Sequence, residues 1–121
     1  MKCSHKHPRR STEISDDALD RAARLFRAIG DPPRLKLLAV LAHGEACVSE
    51  LAGDEQLSTV SQRLRVLRAE DIVSRRREGK HIYYALADQH IATLVENALA
   101  HAAEPARAPK RPAADVKSAR R

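Results

Sequence analysis

The hydrophobic period of this chain changes near residue 72 from that of a helix to that of a strand, and that change leaves few folds open. Before it, Leu57, Val60, Leu64 and Leu67 recur at the spacing of a helix with one apolar face. After it, Ile72-Val73-Ser74-Arg75-Arg76 and His81-Ile82-Tyr83-Tyr84-Ala85 read as two strands around a turn containing Glu78-Gly79. Upstream, a short helix begins near Ser49 and includes Leu51 and Ala52, with Gly53 and Asp54 weakening its far end. Ser58 is the expected cap of the next helix, whose other faces carry Thr59, Ser61, Gln62, Arg63, Arg65 and Arg68. Two short helices across a turn, the second basic on its outer face, form a helix-turn-helix pattern, and the basic hairpin after them is a wing. A charged hairpin alone is as well explained by a structural ribbon with a solvated tip. Its place directly after a basic helix argues for contact with DNA.

The flanking segments complete the domain. Ser15 caps a helix with Leu19, Ala22, Ala23, Phe26 and Ile29 on one side, closed by Gly30. Asp31 before Pro32 and Pro33 starts a second, because a proline at the first helical position has no amide to leave unpaired. That helix carries Leu35, Leu38, Val40 and Leu41 and stops at Gly44. Asp88 caps a last helix with the stripe Ile91, Leu94, Val95, Ala98, Leu99 and Ala102, which Pro105 ends. The expected fold is mainly α with a small β-hairpin, a winged helix-turn-helix over residues 15–104. Residues 1–14 form a polar arm expected to be mobile, and residues 105–121, rich in Ala, Pro, Lys and Arg, a tail expected to be disordered. With only Phe26, Tyr83 and Tyr84 as aromatics the core is aliphatic and small. A homodimer is then attractive, since a partner's helices bury what one chain cannot.

Composition narrows the function. Lys and Arg number 22 against 16 Asp and Glu, for a formal charge of +6, which favours a polyanionic partner. The longest apolar run, Leu37 to Ala42, is far short of the roughly 20 residues that span a bilayer. The N-terminus has no apolar core of a signal peptide, and Cys3 and Cys47 do not make a disulfide framework. The expected setting is cytoplasmic, with reduced thiols and no membrane. A zinc hydrolase needs an open coordination position and a general base, and no H-E-x-x-H or comparable constellation occurs. No enzymatic activity and no small-molecule substrate are expected.

The last helix carries the most informative chemistry. His90 and His101 are eleven positions apart, which returns them to nearly one face but separates them by about 16 Å along the axis. With zinc–nitrogen bonds of about 2 Å, one ion cannot reach both. His101 and Glu104 can share an ion on one face. Asp88 and His90 converge if Asp88 lies at the cap, where the backbone is not yet helical. The helix thus holds a half-site at each end, and antiparallel packing on its symmetry mate completes both. Each full site has two nitrogen and two oxygen donors, suited to tetrahedral zinc and tolerable for cobalt and other divalent ions. Any one of these residues alone reads as a solvated histidine or a surface ion pair. Four at this spacing, on a helix with a dimerising stripe, favour a closed metal site.

At this point the chain resembles the ArsR/SmtB family of bacterial metal-responsive repressors, over residues 20–104. The resemblance rests on Ile29-Gly30-Asp31-Pro32-Pro33-Arg34-Leu35, Glu45-Ala46-Cys47-Val48-Ser49-Glu50-Leu51, Ser61-Gln62-Arg63-Leu64, Gly79-Lys80-His81-Ile82-Tyr83-Tyr84, and the D-x-H-x10-H-x2-E pattern from Asp88 to Glu104. It implies a winged-helix homodimer that represses a metal efflux or sequestration operon and leaves its double-stranded operator DNA when metal binds. It further implies that His101 donates its second N–H to a backbone carbonyl near Asp71. Two departures stand out: Ser49 replaces the second cysteine of a common C-V-C box, and Arg63 stands where many members have histidine.

Residue by residue, Ser58, Thr59, Ser61, Gln62, Arg63 and Arg65 are expected to face the major groove, and Arg75, Arg76, Arg77 and Lys80 to hold phosphates or the minor groove. The resemblance also allows a second metal site, in which an arm bearing Cys3, His5 and His7 folds over Cys47 and Glu50. That donor set suits zinc, cadmium or Cu(I). The alternative there is a solvated tail and a buried structural cysteine. Zinc is the expected effector, with cobalt, nickel, cadmium and copper as alternatives. A regulator that responds to thiol oxidation, or to no metal at all, is the competing reading of the whole chain.

Overall fold

In a computed structural model, which describes residues 13–105, five helices and a three-stranded sheet follow the expected order. They are α1 (Asp16–Ile29), α2 (Pro32–Leu41), β1 (Ala46–Cys47), α3 (Val48–Ala52), α4 (Leu57–Ala69), β2 (Val73–Glu78), β3 (His81–Leu86) and α5 (Gln89–Ala103). The expected arm and tail lie outside the described residues, apart from positions 13, 14 and 105.

Caps set three of the helix starts as the sequence leads one to expect. Ser15 Oγ accepts from the amide of Ala18 at 3.0 Å, Asp31 Oδ2 from Arg34 at 3.1 Å, and Asp88 Oδ1 from Ile91 at 3.0 Å. Arg34 then ties the α1–α2 corner, its Nε donating to the Ala28 carbonyl at 2.6 Å. This satisfies a carbonyl that the end of α1 leaves without a helical donor. The start of α4 differs from expectation. Its cap is Gln56, with no side-chain bond, and Ser58 is already helical. The apolar Leu57 takes the first helical position, so the hydroxyl one residue on is released from capping.

The sheet has order β1-β3-β2, all antiparallel. Two residues of β1 are too short to show a period of two, which is why the sequence gives no sign of that strand. The β2–β3 hairpin pairs Glu78 with His81 across Gly79 and Lys80. Gly79 has φ +65°, and Lys80 is not in the positive-φ region, as a type II′ turn requires.

Between α4 and β2 the chain turns through Asp71, the one described non-glycine residue with positive φ, at 58°. The Ile72 amide donates to Leu67 O and the Asp71 amide to Arg68 O, both at 3.0 Å. These two bonds form a Schellman motif, and Ile72 and Leu67 are both fully buried beside it. The joint between the basic helix and the wing is therefore fixed by hydrogen bonds and packing together.

The core is aliphatic. Leu38, Val60, Leu64, Leu67, Ile72 and Val95 are its most buried side chains, and Tyr84 is its one buried aromatic. They bring α2, α4 and α5 together under the sheet. Much apolar surface stays outside it. On α1, Leu19 and Phe26 are 52% and 59% exposed, while Ala28 turns inward. On α5, Ile91 and Val95 are buried, whereas Ala98, Leu99 and Ala102 are exposed. On α5 one chain uses about half of the stripe, but on α1 it uses only Ile29 of it: Leu19, Ala22, Ala23 and Phe26 are all exposed, and the face that meets the core is Leu25, Ala28 and Ile29.

Candidate functional site

The four donors on α5 fall into two pairs, one at each end. At the start, Asp88 divides its carboxylate: Oδ1 caps the helix, and Oδ2 lies 3.7 Å from His90 Nδ1. The cap geometry brings these two side chains together despite a spacing that would separate them within a helix. At the far end, one turn of helix sets His101 Nδ1 3.9 Å from Glu104 Oε1. Two ligands on a tetrahedral ion with bonds of about 2 Å sit roughly 3.3 Å apart. Both pairs are near that spacing, and both imidazoles are open to solvent. Among the described residues, no group of three or more His, Cys, Asp or Glu side chains within the chain could hold a metal ion. Each end of α5 therefore offers a pair and not a full shell. An imidazole and a carboxylate from each end make the mixed nitrogen and oxygen set that zinc-like ions accept.

The Asp88–His90 pair does not stand alone. It lines a cavity of about 400 Å³ with Arg24 and Leu25 of α1 and with Ala69, Glu70 and Asp71 at the end of α4. Arg24 Nε reaches Glu70 Oε1 at 3.5 Å across it. One end of the last helix thus shares a cavity with the left-handed joint that closes the basic helix. His101 is not among the lining residues, so the contact to the carbonyl near Asp71 is not made from this cavity within one chain.

The second set of metal candidates divides differently. Cys3, His5 and His7 lie outside the described residues. Cys47 is half-buried at the start of α3, with Sγ 3.2 Å from Ser49 Oγ. Its amide donates to Glu50 Oε1 at 2.9 Å, and that bond holds the Glu50 carboxyl below its ordinary pKa. Cys47 and Glu50 are adjacent, and Glu50 is already engaged in closing the first turn of α3.

The groups expected to meet DNA lie on two elements. On α4, Ser58, Thr59, Gln62 and Arg65 are exposed and Ser61 is half-buried, while Val60, Leu64 and Leu67 face the core. Arg65 donates to Gln62 Oε1 at 3.0 Å, which aligns the two on one face. Arg63 turns away from them and makes a short ion pair with Glu55, in the turn before the helix. On the wing, Arg75, Arg77 and Lys80 are exposed. Arg76 is engaged by Glu45 and Glu78.

Between α4 and β2 lies an open cleft of about 520 Å³ lined by Arg65, Arg68, Asp71, Ser74 and Arg75. Arg68 was outside the set expected to meet DNA. The signal for it was its place one turn after Arg65 on the same helix, on the side the wing closes. Three guanidinium groups around an open cleft make a phosphate-binding environment.

Residues 31–75 match the profile of the bacterial regulatory proteins of the arsR family. The chain is 40% identical over 93 residues to a transcriptional repressor SmtB homolog of Synechocystis, covering 75% of this chain and 70% of that one. It is 36% identical over 108 residues to a cadmium resistance transcriptional regulatory protein CadC homolog of Staphylococcus aureus, covering 77% and 89%. Among solved structures, it is similar to a homodimeric winged helix-turn-helix DNA-binding domain from Mycobacterium bovis. The TM-score is 0.69 at 33% identity, over 75% of this chain and 89% of that one.

Proposed function

The chain belongs to the arsR family of bacterial regulatory proteins, and from that premise we propose that it is a metal-sensing transcriptional repressor. It acts in the cytoplasm as a homodimer that binds double-stranded operator DNA and lets go when zinc or a related divalent ion binds. The observation that carries the sensing role is a shared cavity: Asp88 and His90 line the same space as the residues that end α4. What happens at one end of α5 is in contact with the joint that aims the reading helix. The names of the relatives, a SmtB homolog and a cadmium resistance regulator, support a metal as the signal.

The dimer follows from the apolar surface that one chain leaves uncovered. Leu19 and Phe26 on α1, with Leu99 on α5, are large and exposed. Antiparallel pairing of the two α5 helices covers the last of these and brings Asp88 and His90 of one subunit to His101 and Glu104 of the other. A bound divalent ion supplies a cross-link between the subunits. The chain's own residues do the rest. Asp88 keeps one oxygen on the helix cap and turns the other to the site, so a shift of the site also moves the start of α5. Arg24 and Glu70 couple α1 to the end of α4, so a change in the angle between subunits reaches the reading helix. Ser58, Thr59, Ser61, Gln62 and Arg65 then lose their fit to the groove, with Arg68, Arg75, Arg77 and Lys80 holding phosphates.

The test is binding to a duplex that the purified dimer itself selects from a random-sequence pool, titrated with zinc, cobalt, nickel, cadmium and Cu(I) in turn. At least one metal should weaken binding by about 100- to 1000-fold, a coupling of about 3 to 4 kcal/mol. Binding that ignores every metal and responds only to oxidants would replace this reading with a thiol-based one.

A further inference from the structure

Arg76 is the most heavily engaged cation on the wing. Its Nε and Nη2 both donate to Glu45 Oε1, at 3.0 and 2.7 Å, and its Nη1 donates to Glu78 Oε1 at 2.6 Å. The guanidinium also lies 5.0 Å from the centre of the Tyr83 ring. Two carboxylates raise its pKa further above the usual arginine value, and Arg76 in turn holds Glu78 below the ordinary carboxylate value. The group of three carries a net negative charge. It is therefore a poor seat for a DNA phosphate.

Its position explains what it does instead. In the sheet register Cys47, Tyr83 and Arg76 stand in one row across β1, β3 and β2. Side chains alternate along a strand, so Arg76 points to the face opposite Arg75 and Arg77. Arg75 lines the basic cleft with Arg65 and Arg68, and Arg76 lies on the other side of the ribbon. Glu45 is thirty-one residues away in sequence, in the loop that leads through β1 into α3. β1 holds the hairpin through β3 alone, by two residue pairs, and here two N–H donors of one guanidinium converge on a single Glu45 oxygen and tie β2 as well to the entry of the helix-turn-helix.

We propose that Arg76 is a positioning residue: with Glu45, Glu78 and Tyr83 it latches the wing to the segment before α3 and sets the wing's angle to α4. It does not itself hold a phosphate. This rests on the DNA-binding reading above for its consequence, though not for the latch itself. The proposal makes an unusual demand of Glu45. If charge alone mattered, neutralising an acidic residue on a DNA-binding protein would tighten binding. If Glu45 holds the latch, neutralising it must loosen the wing and weaken binding.

The experiment compares full-length wild type, Glu45→Gln, Arg76→Ala and Arg75→Ala. Duplex binding is measured across a range of salt, on a sequence that wild type selects from a random pool. Hydrogen exchange of the β2–β3 amides is measured without DNA. Glu45→Gln and Arg76→Ala should each speed exchange in the hairpin about 5-fold or more and weaken duplex binding by about 5- to 10-fold. Neither should change the slope of log affinity against log salt, whereas Arg75→Ala should lower it by about 0.9, one phosphate's worth. Glu45→Gln binding as tightly as wild type or more so, a slope loss of about 0.9 in Arg76→Ala, or unchanged hairpin exchange would each overturn the proposal. Should wild type select no duplex at all, the DNA-binding reading fails, and the exchange measurement alone decides the latch.

Discussion

His101→Ala is expected to bind the selected duplex with wild-type affinity and to keep that affinity, within about 3-fold, when saturating zinc is added. Wild type should lose about 100- to 1000-fold under the same conditions. The reason for expecting so clean a separation is that His101 is 81% exposed, at the far end of α5 from the core. Its loss leaves no cavity and removes no cap. In the proposed dimer it removes one of two nitrogen donors from each shared site, which would then hold three ligands and a single imidazole. Fluorescence anisotropy of a labelled duplex, with and without metal, reads both halves of the prediction. Release by zinc at full strength in the variant would take His101 out of the sensing site.

The second large effect concerns the dimer. Replacing both Phe26 and Leu99 with aspartate should yield a folded monomer by sedimentation, with duplex affinity lowered by about 100-fold or more. Phe26 is 59% exposed and Leu99 37% exposed in the single chain, so neither holds up the core that Leu38, Leu64 and Leu67 form. Circular dichroism should accordingly show the wild-type helix content. Binding falls because a dimer engages two half-sites at once, and joining two binding modules raises affinity by about 10²- to 10⁴-fold over either alone. A double variant that sediments as a dimer would mean that some other surface joins the subunits.

Particular residues show how far a sequence can be read. Ser15, Asp31 and Asp88 were legible as caps because capping is a local matter of a short polar side chain and an amide three residues on. The same logic misplaced the start of α4. Ser58 has the right chemistry, but Leu57 is already helical and Gln56 closes the helix through its backbone alone. Ala46 and Cys47 gave no sign of a strand, since their pairing with Tyr84 and Tyr83 is contributed by residues far along the chain. The charges were the least legible. Arg63, Arg65, Arg75 and Arg76 look alike as letters, yet Arg63 is spoken for by Glu55 and Arg76 by Glu45 and Glu78. Arg75, by contrast, opens onto the cleft. Which cation is free for a phosphate depends on which carboxylates the fold brings to it, from two residues away for Glu78 to thirty-one for Glu45, and no periodic pattern encodes that.

The pairing on α5 was readable for the opposite reason. Helical rise and the cap at Asp88 are local geometry, and they fix two separate pairs whatever the rest of the fold does. The claim that these pairs are completed by the twofold mate can be tested by mixing two defective chains. One carries Asp88→Ala with His90→Ala, the other His101→Ala with Glu104→Ala. Neither homodimer has a complete site, but a mixed dimer unites the intact start of one α5 with the intact end of the other. With Cys3→Ser and Cys47→Ser in both chains to remove the thiolates of the other candidate set, equilibrium dialysis should find no tight zinc in either variant alone and one ion per mixed dimer after the two are unfolded and refolded together. Tight zinc in either variant alone, or none in the mixture, would contradict a site shared between subunits.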